Sequence, residues 1–133
     1  MKLLLDTCAL LWALQDAGRL SLSARRALRD PENTVSVSVV SFLEISLKSS
    51  LGQLRLHGTA PEDIPRYAKK ADWQISPLVT DVAAISARLP RPTEHCDPFD
   101  RWLVWSAVRN DFGLVSRDYA MQVYVPRGLK ICW

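Results

Sequence analysis

Residues 1–17 read MKLLLDTCALLWALQDA, and the way this stretch divides decides the fold. Four of the first five residues are apolar, and Asp6 arrives where the pattern changes. "KLLLD" is a short apolar run, as expected of a strand buried on both faces. "TCALLWALQDAG" then reads as a helix, with Thr7 near its start and Gly18 past its end. Asp6 stands at the seam, at the carboxyl end of the strand.

Working outward, the same alternation repeats. "SLSARRALRDPE" is a polar helix with Ser21 or Ser23 as cap and Pro31 beyond its end. "NTVSVSV" alternates and is β-branched, which predicts a strand, and "SFLEISLKSSLGQL" predicts a helix ending near Gly52. "IPRYAKKAD" predicts a helix and "WQISPL" a short strand. "TDVAAISARLP" reads as a capped helix stopped by Pro90, and "PFDRWLVWSAVRND" as a helix closed by Gly113. "GLVSRD" and "GLKICW" are the last two strand candidates. Strands alternating with helices imply an α/β fold with a parallel sheet covered on both faces. In open sheets of that kind ligands collect outside the carboxyl ends of the strands. Asp6 lies at one such end and Asp118, after "LVSR", at another.

Bulk properties narrow the classes. The chain of 133 residues is one domain of ordinary length, 48% hydrophobic and 23% charged, which excludes a disordered polymer. A net charge of +3 permits a nucleic-acid partner without demanding one. No apolar run approaches the roughly 20 residues of a membrane span. Asp6 interrupts the first run too early for a signal peptide, and no small-residue cleavage site follows. Cys8, Cys96 and Cys132 are sparse, odd in number and without a CxxC, so they read as reduced thiols of a cytoplasmic protein.

The acids carry the chemistry, and each has a plainer reading beside it. Asp6 is a good helix N-cap, and Asp118 suits a cap or turn at "RDYAMQ". In "HCDPFD", Asp97 is placed as N-cap, Pro98 as N1 and Asp100 as N3. Glu44 shares a helical face with Val40, Leu47 and Leu51, flanked by Leu43, which predicts a carboxylate inside an inward-facing apolar stripe. Its plainer reading is an exposed pair with Lys48, four residues on. Jointly these acids would converge on one sheet edge. Crowded carboxylates repel unless a cation offsets them, and hard oxygen ligands suit Mg²⁺ or Mn²⁺. Arg101 and Arg117, beside Asp100 and Asp118, could contact phosphates or pair with those acids. Cys8 with His95 and Cys96 hints at zinc, but no fourth ligand stands at a zinc spacing.

"LLLDTCALLWAL", "SVVSFLEISLKSSLGQL", "HCDPFDRWLVWSAV" and "GLVSRD", in this order and spacing, resemble the PIN-domain ribonucleases, specifically the VapC-like toxins of toxin–antitoxin pairs. The resemblance spans essentially residues 1–133. It implies a single PIN-like domain, a three-layer α/β/α sandwich with a central, mainly parallel sheet. It implies an Mg²⁺- or Mn²⁺-dependent endoribonuclease that cuts RNA by metal-activated water. By position, Asp6, Glu44, Asp100 and Asp118 match the family's catalytic acids, with Asp6, Asp97, Asp100 and Asp118 toward the metal. Asp97 matches an extra acid of the subgroup with "DPFD". Thr7 and Ser116 match supporting hydroxyls. Cys8 stands where many relatives have histidine.

The resemblance also implies a cognate antitoxin and a homodimer. Leu10, Leu11, Trp12 and Leu14 cannot all face a sheet from one helix, which predicts some apolar surface on it. Trp73 and Trp102 read as core and Trp133 as a terminal plug, with Trp12 and Trp105 open between core and interface. Two other classes compete. A catalytically inactive PIN-like binding module acting in toxin–antitoxin regulation would have lost acids, and all four are present. A haloacid-dehalogenase-like phosphatase wants a second Asp at the position of Cys8, and a receiver wants an acid pair at the first strand's end.

Overall fold

The computed structural model describes residues 1–90 and 97–133. Among the described residues, five strands form one sheet: β1 (Lys2–Leu5), β2 (Thr34–Ser38), β3 (Gln74–Ser76), β4 (Gly113–Val115) and β5 (Lys130–Cys132), in the order β3-β2-β1-β4-β5. All four pairings are parallel, with Leu4 opposite both Ser36 and Leu114. Among the described residues, six α-helices connect them: α1 (Thr7–Gln15), α2 (Leu22–Arg29), α3 (Val39–Ser50), α4 (Ile64–Lys70), α5 (Thr80–Ala84) and α6 (Pro98–Asn110). A long 3₁₀ segment, Tyr119–Arg127, precedes β5.

The three layers follow from strand periodicity. Leu3 and Leu5 bury into one core with Ala9, Leu10, Ala24, Val37, Ile64 and Ala68. Leu4 points the other way, into a second core with Leu103, Val104, Leu114, Met121 and Tyr124. Side chains alternate along a strand, so an uninterrupted leucine run fills both sides of the sheet. Each fully buried leucine contributes about 1.5–3 kcal/mol. Trp102 and Trp105 lie in the second core, and Trp12, Trp73 and Trp133 pack half-buried against the first. Leu10 and Leu11 are buried and Leu14 half-buried, so α1 carries less apolar surface than its sequence suggests. No helix among the described residues is long and apolar enough to cross a membrane.

Three expectations are corrected. The inward face of α3 is Val40, Ser41, Glu44 and Ile45, while Leu43, Leu47 and Leu51 are 61%, 44% and 59% exposed. The leucines share a stripe with each other but look outward. The stretch after Val79 is α-helical only over Thr80–Ala84, then 3₁₀ over Ser86–Arg88, with no side-chain cap. The Trp105 indole N–H donates at 3.0 Å to the Val82 carbonyl, which a continuing α-helix would offer to residue 86. Helix α6 ends at Asp111, left-handed at φ 58°, and not at Gly113. Asp tolerates that conformation. Gly113 instead begins β4, where an added Cβ would stand 3.3 Å from Leu3 Cδ2.

Candidate metal centre

Because the strands are parallel, their carboxyl ends share one edge. β1 runs into Asp6, which caps α1 through Oδ1 accepting from the Ala9 N–H at 2.6 Å. β2 ends at Ser38, which caps α3 and so sets the rotation that turns Glu44 inward. Asp97 caps α6, its Oδ1 accepting from the Phe99 and Asp100 N–H groups at 2.9 and 3.0 Å, with Pro98 in the first turn. Asp118 follows β4 and caps the 3₁₀ segment through the Ala120 N–H at 2.9 Å. The capping reading of Asp6, Asp97 and Asp118 is therefore met, and it is compatible with a site. A cap fixes where the carboxylate stands.

Glu44, Asp97 and Asp100 each offer one ligand atom, and these atoms lie within 4.8 Å of one another. Glu44 is only 4% exposed. Its Oε1 accepts from the Lys48 ammonium at 2.9 Å, while Oε2 is buried without a hydrogen-bond partner among the described residues. A buried carboxylate oxygen left unpaired costs several kcal/mol unless something arrives to bind it. The oxygen-only donor set, hard and anionic, fits Mg²⁺ or Mn²⁺. Asp6 and Asp118 lie outside that closest group of three and act on it through their charge.

The electrostatics show how tightly the acids are gathered. Burial raises Asp6 to about 6, against hydrogen bonds from the Ala9 N–H and the Ser116 hydroxyl, with Glu44 and Asp118 adding repulsion. Burial also raises Asp100 to about 7, with Asp97, Glu44, Asp6 and Asp118 all pushing the same way. A divalent cation placed among them reverses that balance and displaces the protons.

The PIN domain family profile matches residues 3–125. The chain belongs to the PIN-domain family. No curated protein matches it by sequence. Among solved structures, VapBC2 from Rickettsia felis, bound to a DNA fragment from their promoter, is similar at TM-score 0.64 and 16% identity, covering 98% of this chain and 97% of that one. FitAB bound to the IR36 DNA fragment is similar at TM-score 0.63 and 19% identity, covering 98% and 93%. These likenesses show the fold.

Around the acids of this PIN domain, the expected supporting residues divide. Ser116 is buried, hydrogen-bonds the Asp6 carboxylate and accepts from the Asp118 N–H at 3.1 Å, so it ties two acids together. Thr7 is buried with its Oγ1 lacking a partner among the described residues. Arg101 is half-buried. Its guanidinium donates to the Leu89 and Pro90 carbonyls at 2.8 and 3.3 Å and to Tyr124 Oη at 3.2 Å. Those acceptors hold its guanidinium against the fold. Arg117 is exposed beside Asp118, with Arg19 and Arg117 both over the Trp12 ring at 4.5 and 6.0 Å. Cys8 borders the acids, and burial with Asp6, Glu44 and Asp100 pushes its thiol up to about 11. Cys8 and Cys132 are free, while His95 and Cys96, weighed with Cys8 for zinc, lie outside the described residues.

Lys48 is the residue that sequence reasoning passed over as a surface partner. The available signal was its i,i+4 spacing from Glu44. The inward turn of Glu44 brings that cation to the rim of the cluster, within the influence of Asp97 and Asp100.

Proposed function

We propose that this PIN domain, residues 1–133, is the toxin of a toxin–antitoxin pair and a Mg²⁺- or Mn²⁺-dependent endoribonuclease. The observation that carries the reading is Glu44 Oε2, buried and without a hydrogen-bond partner among the described residues, within a group formed with Asp97 and Asp100. Those three residues would hold the cation. A divalent ion there supplies Lewis acidity, lowering the pKa of water and stabilising charge on a phosphoryl oxygen. Asp97 keeps one carboxylate oxygen fixed by two backbone N–H groups, which limits its freedom as a ligand. Asp100 and Asp6 are the groups that give up protons as the site is loaded. Ser116 orients Asp6, and Asp118, at the open side, adds negative charge that strengthens cation binding. Arg117, exposed next to Asp118, is the phosphate contact on that side.

A cognate antitoxin and a second copy of the chain are the proposed protein partners, and a cytoplasmic location goes with the proposed action on RNA. The outward leucines Leu43, Leu47 and Leu51 supply apolar surface suited to a protein partner. The solved VapBC2 and FitAB assemblies are bound to DNA, which supports the same arrangement for this chain with its antitoxin. The test is cleavage of end-labelled RNA by the purified chain with Mn²⁺, with Mg²⁺ and with EDTA, beside Asp6→Ala. Metal-dependent cleavage lost in the variant is expected. A folded, metal-loaded protein that cuts no RNA would favour the inactive binding module.

A further inference from the structure

We infer that Lys48 is a substrate-binding residue, one that grips an RNA phosphate beside the cleaved bond once the carboxylate group holds its cation. The inference rests on the nuclease reading above. In the structure, the Lys48 ammonium lies 2.9 Å from Glu44 Oε1. The two side chains differ sharply in exposure, 35% for Lys48 and 5% for Glu44. The pair therefore crosses the boundary of the site, with its anion inside and its cation at the rim. An ordinary exposed helix pair has both ends in water.

The two oxygens of Glu44 are used differently. Oε1 takes the ammonium, and Oε2 has no partner among the described residues. A cation bound with Asp97 and Asp100 takes Oε2 without displacing Lys48 from the neighbourhood. It does, however, neutralise the carboxylate charge that holds the ammonium inward. Coulomb attraction between Lys48 and the loaded group falls, while a phosphate arriving at the rim offers a fresh anion. Lysine suits that role, because its ammonium is a point charge on a flexible stem with three donors. One donor serves Glu44 and leaves the group able to bridge.

The reading separates cleanly from a bracing role. If Lys48 only held Glu44 in place, its loss would weaken the metal site. If it grips phosphate, its loss would weaken RNA binding and spare the metal. The experiment compares the wild-type chain with Lys48→Met and Lys48→Arg. Calorimetry reads Mn²⁺ affinity, and fluorescence anisotropy reads binding of a labelled single-stranded RNA oligonucleotide, with Ca²⁺ replacing Mn²⁺, over a series of salt concentrations. For Lys48→Met, Mn²⁺ affinity is expected to equal or exceed that of the wild type, because a competing positive charge beside Glu44 is removed. RNA affinity is expected to fall about tenfold, the effect of one charged hydrogen bond. The salt dependence should become shallower by about 0.7 in log–log slope, one phosphate contact on a single strand. Lys48→Arg should restore most of both. Weakened Mn²⁺ binding with unchanged RNA affinity overturns the inference and leaves the nuclease reading intact. A wild-type chain that binds Mn²⁺ but no RNA overturns the nuclease reading and this inference with it.

Discussion

Replacing Asp6 by asparagine should make the metal-free protein more stable, and increasingly so as pH rises. In the folded chain the Asp6 carboxyl holds its proton up to about pH 6, against an ordinary 3.8. Between those values the folded state binds more protons than the unfolded one, so raising the pH favours unfolding. The sign is that of a penalty, nearly absent near pH 4 and complete well above pH 6. A shift of about two pH units corresponds to about 3 kcal/mol near pH 8 and to well under 1 kcal/mol near pH 4. Asn keeps a carbonyl oxygen for the Ala9 N–H and a group that the rotatable Ser116 hydroxyl can meet, but it carries no charge to bury. Urea unfolding in EDTA, followed by the fluorescence of the five tryptophans, should give a gain for Asp6→Asn that grows from pH 4 to pH 8. A variant less stable than the wild type, or a gain that ignores pH, would refute the reasoning.

Other expectations bear on neighbouring residues. Glu44→Gln should weaken Mn²⁺ binding in calorimetry, since it removes the charge that a ligand oxygen needs; unchanged affinity means Glu44 is not a ligand. Mn²⁺ affinity should rise with pH and level off above about 7, because Asp6 and Asp100 must release protons to admit the ion, and a flat titration contradicts this. Arg101→Met should cost about 2 kcal/mol in urea unfolding, from its lost hydrogen bonds to Leu89, Pro90 and Tyr124, while leaving RNA affinity unchanged. Weakened RNA binding in that variant would return Arg101 to the substrate surface. Cys8→Ser should leave cleavage rates nearly as they were, and a large loss would make the thiol a participant.

Much of the layout could be read because local signals and burial agreed. The "KLLL" run has no polar break, and a strand buried on both faces is the arrangement that uses it. Caps were equally plain, since Ser21, Asp97 and Asp6 are the side chains that accept N–H groups at helix starts. Asp6, Asp97, Asp100 and Asp118 stood out for the same reason, lying where strands end and helices begin. What stayed hidden was rotation. The spacing of Val40, Glu44, Leu47 and Leu51 defines a face but not which way it looks, and Ser41 and Ile45, not the leucines, turned out to share the buried side. Arg101 escaped for a related reason. Its acceptors, the carbonyls of Leu89 and Pro90, carry no side-chain signal in the sequence. The close grouping of Glu44 with Asp97 and Asp100, leaving Asp6 and Asp118 further out, depends on the meeting of α3 and α6, which spacing along the chain does not encode.

The most direct test of the central claim is an anomalous difference map from crystals of the chain grown with Mn²⁺. The account predicts a peak at about 2.1 Å, a coordination distance for a small divalent ion, from carboxylate oxygens of Glu44, Asp97 and Asp100. A map with no peak there at saturating Mn²⁺, or a peak held by other residues, would contradict it.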